Sequence, residues 1–444
     1  MTKKEVLQQC EQYNVRFVHL QFCDLLGMVK SVTIPVSKLD DAIDHNVWFD
    51  GSSIEGFTRI YESDMYLKLD LTTFAIIPWE SDSEESVARV ICDVFLPDGS
   101  PFEGDPRQIL RRQVERAKKL GFEYNVGPEL EFFLFPVDED GKAYVMPHDT
   151  AGYFDYSADR AGAIRGAMSD AVSAMGVDVE TIHHEVAPGQ HEIDFKYNTA
   201  IKQADHVMTV KTALRAVAQD FGLHATFMPK PISGVNGNGM HVHQSLSKGG
   251  KNAFYDEKSK YNGLSQTALQ FIAGQLKHLP EIVSITNPTV NSYKRLVPGY
   301  EAPVYIAWGQ TNRSALIRIP RLTAGRTEGT RCELRCPDSS SNPYLAFAVM
   351  LAAGLNGIEG KYPVPDPIDE NIFEFTEKKA RRMRVKTVPG SLGEAINKSE
   401  KSALVKDVLG EHSFAKFLDG KKAEADSFRL AVSQWEIDQY LDNY

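Results

Sequence analysis

Two glutamates interrupt an otherwise apolar run, Gly127-Pro-Glu-Leu-Glu-Phe-Phe-Leu-Phe135. In an extended strand, residues two apart share a face, so Glu129 and Glu131 point the same way, roughly 7 Å apart. The apolar residues after them suit a central strand, where two like charges on one face are costly unless a cation neutralises them. An edge strand that turns both carboxylates to water is the alternative, and this segment alone leaves the two readings open.

Three further segments bear on that choice. His183-His-Glu185-Val-Ala-Pro-Gly-Gln-His-Glu192 has a Pro-Gly turn at its centre. A tight hairpin there sets Ala187 opposite Gln190 and Glu185 opposite Glu192, a like-charge pair that again expects a cation. Pro-Gly favours a type II turn, which fits tight hairpins less well than the primed types, so a longer loop is the alternative. In Arg331-Cys-Glu333-Leu-Arg335, period two puts Glu333 on one face with both arginines. That is either an exposed charge ladder or a metal carboxylate beside anion-binding arginines. His241 lies in Gly237-Asn-Gly-Met-His-Val-His-Gln-Ser245. The five glutamates and this histidine form an oxygen-rich set that suits Mg²⁺ or Mn²⁺ and is too oxygen-rich for structural zinc. The glycines from Gly234 to Gly239 match neither a Walker A loop nor a dinucleotide fingerprint, but beside His241 they can bring backbone amides close to a ligand.

Arg295, Arg313, Arg318, Arg331 and Arg335 share one Gly- and Pro-rich stretch. The guanidinium fork binds carboxylate and phosphate bidentately. In a chain of net charge -11, such a gathering suggests an anionic substrate with phosphate groups. Surface salt bridges are the plainer reading for any single one. The acidic balance argues against a nucleic-acid surface. Five cysteines, with no CxxC spacing, argue against a disulfide framework and for a reducing compartment. The N-terminus lacks an apolar leader, and the longest apolar run, Tyr344–Leu355, falls short of the about 20 residues that span a bilayer. A cytoplasmic chain without a membrane span is expected.

Residues 1–100 read as strand-rich, with alternation in Val15–Phe22, Phe74–Ile77 and Val87–Phe95 and helices only at Lys3–Tyr13 and Val36–His45. The turn formers from Pro97 to Gly104 mark a boundary between domains 1–100 and 101–444. Asp105 can cap a helix that begins at Pro106 and stops at Gly121. Further helices are predicted near 158–175 and 199–221, and the pattern is α+β with two unequal domains.

Other markers stand in order along the chain: Phe49-Asp-Gly-Ser-Ser-Ile-Glu-Gly-Phe57, Lys230-Pro, the run Asn287-Pro-Thr-Val-Asn-Ser-Tyr-Lys-Arg-Leu-Val-Pro-Gly-Tyr-Glu301, Asn312-Arg-Ser314 and Asn342-Pro-Tyr-Leu345. With the acidic segments they resemble the bacterial type I glutamine synthetase family over almost the whole chain. The resemblance implies a small N-terminal β-grasp-like domain and a catalytic domain on a curved antiparallel sheet with flanking helices. It also implies a dodecamer of two hexameric rings with active sites shared between neighbours. The implied reaction is ATP-dependent ligation of ammonia (as ammonium) to the γ-carboxylate of L-glutamate through a γ-glutamyl phosphate.

By the same resemblance, one Mg²⁺ or Mn²⁺ is held by Glu131, Glu185 and Glu192, the other by Glu129, His241 and Glu333. Ser53, Asn236, Gly237, Arg295, Glu301, Arg313 and Arg335 meet the substrate; Glu180, Ser245, Arg313 and Arg318 meet ATP. Asp50 of an adjacent subunit takes a proton from ammonium, Glu301 closes a flap, and Arg313 and Arg335 complete the catalytic set. Arg59 matches an arginine that short-form relatives use for feedback by glutamine. The segment Asn371–Glu377 lacks the Tyr-Asp-Leu-Pro adenylylation site of longer relatives. A nitrogen-responsive transcription factor is a possible partner. Three rivals remain at this level: a γ-glutamyl-amine (polyamine) ligase on the same scaffold, a hydrolytic zinc enzyme and a non-catalytic regulator.

Overall fold

The computed structural model describes residues 1–444 except 53, 55–63, 262, 299–301, 311, 322–326, 376 and 384. The calls on Ser53, Arg59 and Glu301 lie outside the described residues.

Alternation organises the first sheet. Val18, Leu20 and Phe22 are buried in β1 (Val15–Cys23), while the residues between them are half-exposed. With β2 (Val29–Pro35), β3 (Val47–Asp50), β4 (Asp64–Ile76) and β5 (Ser86–Phe95) it forms a sheet of order β2-β1-β5-β4-β3. The β1–β5 pair is parallel and the rest antiparallel. The run Phe74–Ile77 is the end of the longer β4 rather than a strand of its own. Helices α1 (Lys3–Gln12) and α2 (Leu39–His45) add Val6 and Leu39 to this sheet's core. Thr2 and Glu5 close a reciprocal capping box on α1.

The second sheet has eleven strands: β6 (Glu123–Pro136), β7 (Val179–His184), β8 (Gln190–Phe195), β9 (Asn198–Thr199), β10 (Leu223–Thr226), β11 (Met240–Lys248), β12 (Lys251–Asn252), β13 (Tyr305–Gly309), β14 (Ala315–Arg318), β15 (Cys332–Leu334) and β16 (Lys386–Thr387). Its main path runs β16-β13-β14-β15-β11-β6-β8-β7. Every pair is antiparallel except β13–β14, which makes the sheet mixed. The strand with the two glutamates is β6, paired on both sides, so the edge reading is excluded.

Helices cover this sheet. Asp105 caps α3 (Pro106–Lys119) by accepting the Arg107 N–H, and Gly121 follows at φ +83°. The next helix, α4 (Gly162–Ala174), starts later than the sequence pattern predicts, and α5 (Ala200–Asp220) runs as expected. Then come α6 (Gln266–Thr286), α7 (Ser292–Arg295) and α8 (Pro343–Glu359), the last carrying the longest apolar run, buried along nearly all its length. Among the described residues no helix is long and apolar enough to cross a membrane, and all five cysteines are free and buried.

Arg107, 3% exposed, joins the two sheets' layers. Its guanidinium reaches Asp70 of β4 at 2.7 Å, Asp93 of β5 at 2.8 Å and Asp205 of α5 at 2.9 Å. Tyr344 at the start of α8 donates to the same Asp205 at 2.7 Å.

Candidate active site

The sheet register lines up the acidic residues in rows. Across one row, His241 of β11 faces Glu129 of β6, which faces Asp194 of β8. One step along the same strand face, Glu131 faces Glu192, which faces His183 of β7. On the other side, Arg318, Glu333 and His243 are partners across β14, β15 and β11. Rows two residues apart point to one face, so three strands present their charge to a single place.

The hairpin register corrects one expectation. His184 pairs with His191 and His183 with Glu192, so Glu185 stands opposite Gln190, not Glu192. The reason lies in the turn. Gln190 N–H donates to Ala187 O at 2.9 Å, and Gly189 sits at φ +72°. Those features fit a type II turn at Ala187–Gln190, whose twist does not continue directly into a tight hairpin, so strand pairing begins further out. The like-charge pair the sequence expected exists, but it is Glu131 with Glu192.

Burial makes this arrangement expensive without a cation. Glu333 is wholly buried, and Glu131 and Glu192 are 7% and 8% exposed. Burial, with Glu131, Asp194, Glu129 and Glu185 nearby, pushes the Glu192 carboxyl well above its usual range. Asp194 is lifted to about 6, chiefly by burial. Glu129 goes the other way. Burial raises it, but His241 at 3.1 Å and His243 at 2.7 Å outweigh that and hold it below the usual carboxylate value. Glu333 is met by Arg318 at 2.9 Å and Arg335 at 3.0 Å.

Among the described residues, ligand atoms converge in three sets, each within 4.8 Å: Glu129 with His243 and Glu333, Glu129 with Glu192 and His241, and His183 with Glu185 and Glu192. Glu131 stands 3.9 Å from His241 and accepts hydrogen bonds from Gly239 N–H at 2.7 Å and Gln190 Nε2 at 3.0 Å. Carboxylates and imidazoles in this proportion, with the Glu192 carboxyl raised by burial and its acidic neighbours, fit a hard divalent cation.

Among the described residues, two clefts are lined by members of the acidic rows. The smaller, about 370 Å³, is lined by Glu131, Glu185, Gln190, Lys230, Asn236, Gly237, His241, Arg295 and Ala302. Its glycines are there for space. A Cβ on Gly237 would lie 2.1 Å from Pro229 O, and one on Gly239 would lie 2.5 Å from Arg295 Nη2. Arg295 is buried and donates to Cys336 O at 2.8 Å. The larger cleft, about 1300 Å³, contains Glu129, Glu180, Asp194, Tyr197, His243, Ser245 and Arg331 among its walls.

The described residues of the expected site thus fall into two groups. The six proposed metal residues, Asn236, Gly237, Arg295, Glu180 and Ser245 all line one cleft or touch the acidic rows. Arg313 is exposed, and its carbonyl accepts from Arg335 at 2.5 Å. Asp50, at the end of β3 in the other sheet, lines neither cleft of its own chain and accepts the Ser52 N–H at 2.8 Å.

Several side chains at the centre lie outside the expected divalent-metal set, His243 having entered only through the zinc-enzyme rival. His243 shares the His241 face by period two and is held by Arg331 at 3.2 Å. Asp194 continues the Glu192 face in the same way. Gln190 bridges Glu131 to the Asn238 side chain, and nothing in its spacing announced that. Tyr153 and Phe154 stack on each other and stand edge-on to His183, which only the folded loop could bring about.

Comparison with known proteins now decides the family. The pattern described as "Glutamine synthetase, catalytic domain" matches residues 103–440, and "Glutamine synthetase, beta-Grasp domain" matches residues 14–97. The chain belongs to the glutamine synthetase family. Glutamine synthetase of Thermus thermophilus is 53% identical over 447 residues, covering 100% of this chain and 99% of that protein. Glutamine synthetase of Clostridium saccharobutylicum is 51% identical, covering 100% and 99%. A solved structure titled "GmaS/ADP complex-Conformation 1" matches with TM-score 0.88 at 30% identity, covering 98% of this chain and 99% of that one. The β-grasp domain and the α+β class implied by the resemblance are borne out.

Proposed function

We propose that this chain ligates ammonia to the side-chain carboxylate of L-glutamate, using ATP and giving L-glutamine, ADP and phosphate. The observation that carries the reading is the buried Glu131–Glu192 pair, Glu131 lining a small cleft that also holds Arg295. Family membership and relatives of about half identical sequence, named glutamine synthetase, support it.

A carboxylate is a poor electrophile and must be activated. In this reading Arg295, Asn236 and Gly237 hold glutamate in the smaller cleft, and Glu180 and Ser245 hold ATP in the larger. The γ-carboxylate attacks the terminal phosphorus, the bond from that phosphorus to ADP breaks, and the γ-glutamyl phosphate that results later loses phosphate to attack by ammonia; Arg313, Arg318 and Arg335 spread the charge of the first transfer. Two or more Mg²⁺ or Mn²⁺ ions, held by Glu131, Glu185 and Glu192 and by Glu129, His241 and Glu333, would supply electrostatic stabilisation of the transferred phosphoryl group. Ammonium is no nucleophile until deprotonated, which assigns the base role to Asp50 of an adjacent subunit. That role goes with an oligomer, proposed as a dodecamer, and Asp50 is not among the residues that line its own chain's two clefts. Ser53, Glu301 as a flap, Arg59 as the glutamine-feedback residue and a nitrogen-responsive transcription factor as partner belong to the same proposal.

Phosphate release from ATP, measured while glutamate, ammonium and metal are each left out, tests the reading. All three omissions should abolish turnover; an unchanged rate without ammonium or glutamate would sink it. Putrescine in place of ammonium separates it from an amine ligase, which would accept the diamine.

A further inference from the structure

The turn between β7 and β8 carries Glu185 at its start and leads into Glu192, and it is gripped from outside. The segment Pro147–Phe154, between β6 and α4, wraps it. Asp149 in that segment is 5% exposed. Its Oδ1 accepts the Gly189 N–H at 3.2 Å and faces His184 Nε2 at 3.1 Å. Its Oδ2 accepts the Arg160 N–H at 3.3 Å and lies 3.2 Å from His148 Nε2. One carboxylate therefore holds both arms of the turn: His184 directly precedes Glu185, and Gly189 stands three residues before Glu192.

Two more contacts bind the segment to the turn. Gly189 lies so close that a Cβ there would sit 3.3 Å from Pro147 Cα. Phe154, at φ +59°, donates its N–H to His184 O at 3.3 Å and sets its ring edge-on to His183 at 4.8 Å. His183 in turn lies 3.1 Å from Glu192 Oε1. A non-glycine residue keeps a left-handed backbone only where its surroundings over-determine it, so this segment is tightly specified.

We propose that Asp149 is a positioning residue, whose carboxylate fixes the β7–β8 turn so that Glu185 and Glu192 face one divalent cation. The inference rests on the reading of those two glutamates as cation ligands. Their geometry needs outside support. Glu192 is already pressed against Glu131 across β6, and mutually repelling carboxylates drift apart unless something other than the cation holds their backbone. Asp149 touches neither the cation ligands' oxygens nor the clefts; it acts through His184 and Gly189.

Mn²⁺ binding to the full-length assembled protein tests this directly, with free Mn²⁺ read by electron paramagnetic resonance. Asp149→Ala should weaken Mn²⁺ binding about tenfold, the low end of the loss seen when groups behind metal ligands are removed. Asp149→Asn keeps one oxygen to accept the Gly189 N–H and should lose less. Glutamate KM at saturating Mn²⁺ should move less than about twofold, because Asn236, Gly237 and Arg295 are untouched. A merely structural role would lower Tm yet leave the Mn²⁺ affinity of the folded variants unchanged, and that result overturns the proposal. If the alanine variant does not fold, the asparagine variant carries the same comparison. Wild-type protein that binds no Mn²⁺ would instead overturn the metal reading of the site, and this inference with it.

Discussion

At the junction of the two sheets, Arg107 meets Asp70, Asp93 and Asp205, with Arg111 on Asp93 and Arg89 beside Asp205. On the face of the larger sheet, Glu129, Glu131, Glu192, Asp194 and Glu333 gather around His241 and His243. Both clusters bury carboxylates among strands and helices. The first is nearly balanced, with Arg107, Arg111 and Arg89 set among Asp70, Asp93, Asp205 and the neighbouring Asp105. Among the described residues, the second meets Glu333 with Arg318 and Arg335 and sets Arg295 near Glu131, but leaves Glu192 and Asp194 without an arginine or lysine in an ion pair. A balanced buried cluster fixes structure; one short of positive charge stores a binding site at some cost in stability.

That contrast breaks most sharply at Glu192. Glu192→Gln should cut metal-dependent turnover on the order of 10³-fold, since cation stabilisation of phosphoryl transfer is worth several kcal/mol. The same change should raise the Tm of metal-free protein, because it removes one of two facing carboxylates. Steady-state rates and metal-free melting curves check the two halves, and a fall in both would show that Glu192 is structural.

Arg107→Met probes the balanced cluster. It removes the guanidinium shared by Asp70, Asp93 and the buried Asp205, leaving only Arg111 on Asp93 and Arg89 near Asp205, and should destabilise by about 3–5 kcal/mol. Thermal melting at fixed protein concentration reads the loss. Mn²⁺ affinity of the protein that remains folded should stay near wild type, which separates the two clusters.

The pH response sharpens the difference without mutation. Asp194 is raised to about 6 and Glu192 well above the carboxylate range. Between about pH 4 and 6 the folded chain keeps protons that the unfolded chain has released, so metal-free protein loses stability as pH rises through that window. A divalent cation displaces those protons. The increase in Tm on adding Mn²⁺ should therefore be larger at about pH 7 than at about pH 5. Equal increases at both would mean that the carboxylates are ionised without metal.

The smallest effect is expected at Tyr344→Phe, which removes only the 2.7 Å hydroxyl contact with Asp205. About 1 kcal/mol of stability should go, with no change in metal affinity. A larger loss would place Tyr344 among the essential members of the Arg107 cluster.

Much of this could be read from the chain alone. Period two placed Glu129 with Glu131 on one face, and the Asp105–Pro106 start and Gly121 stop bounded α3, because both signals are local. Which strand lies beside which was not local. The chain could not show that Glu131 faces Glu192, that Asp194 faces Glu129, or that Arg107 would find aspartates from β4, β5 and α5. A type II turn shifted the β7–β8 register from the tight-hairpin expectation and replaced Glu185 by His183 as the β7 partner of Glu192, while β6 sets Glu131 against its other side. Strand period fixes the face on which a side chain stands; only the pairing of distant strands decides which charges meet there.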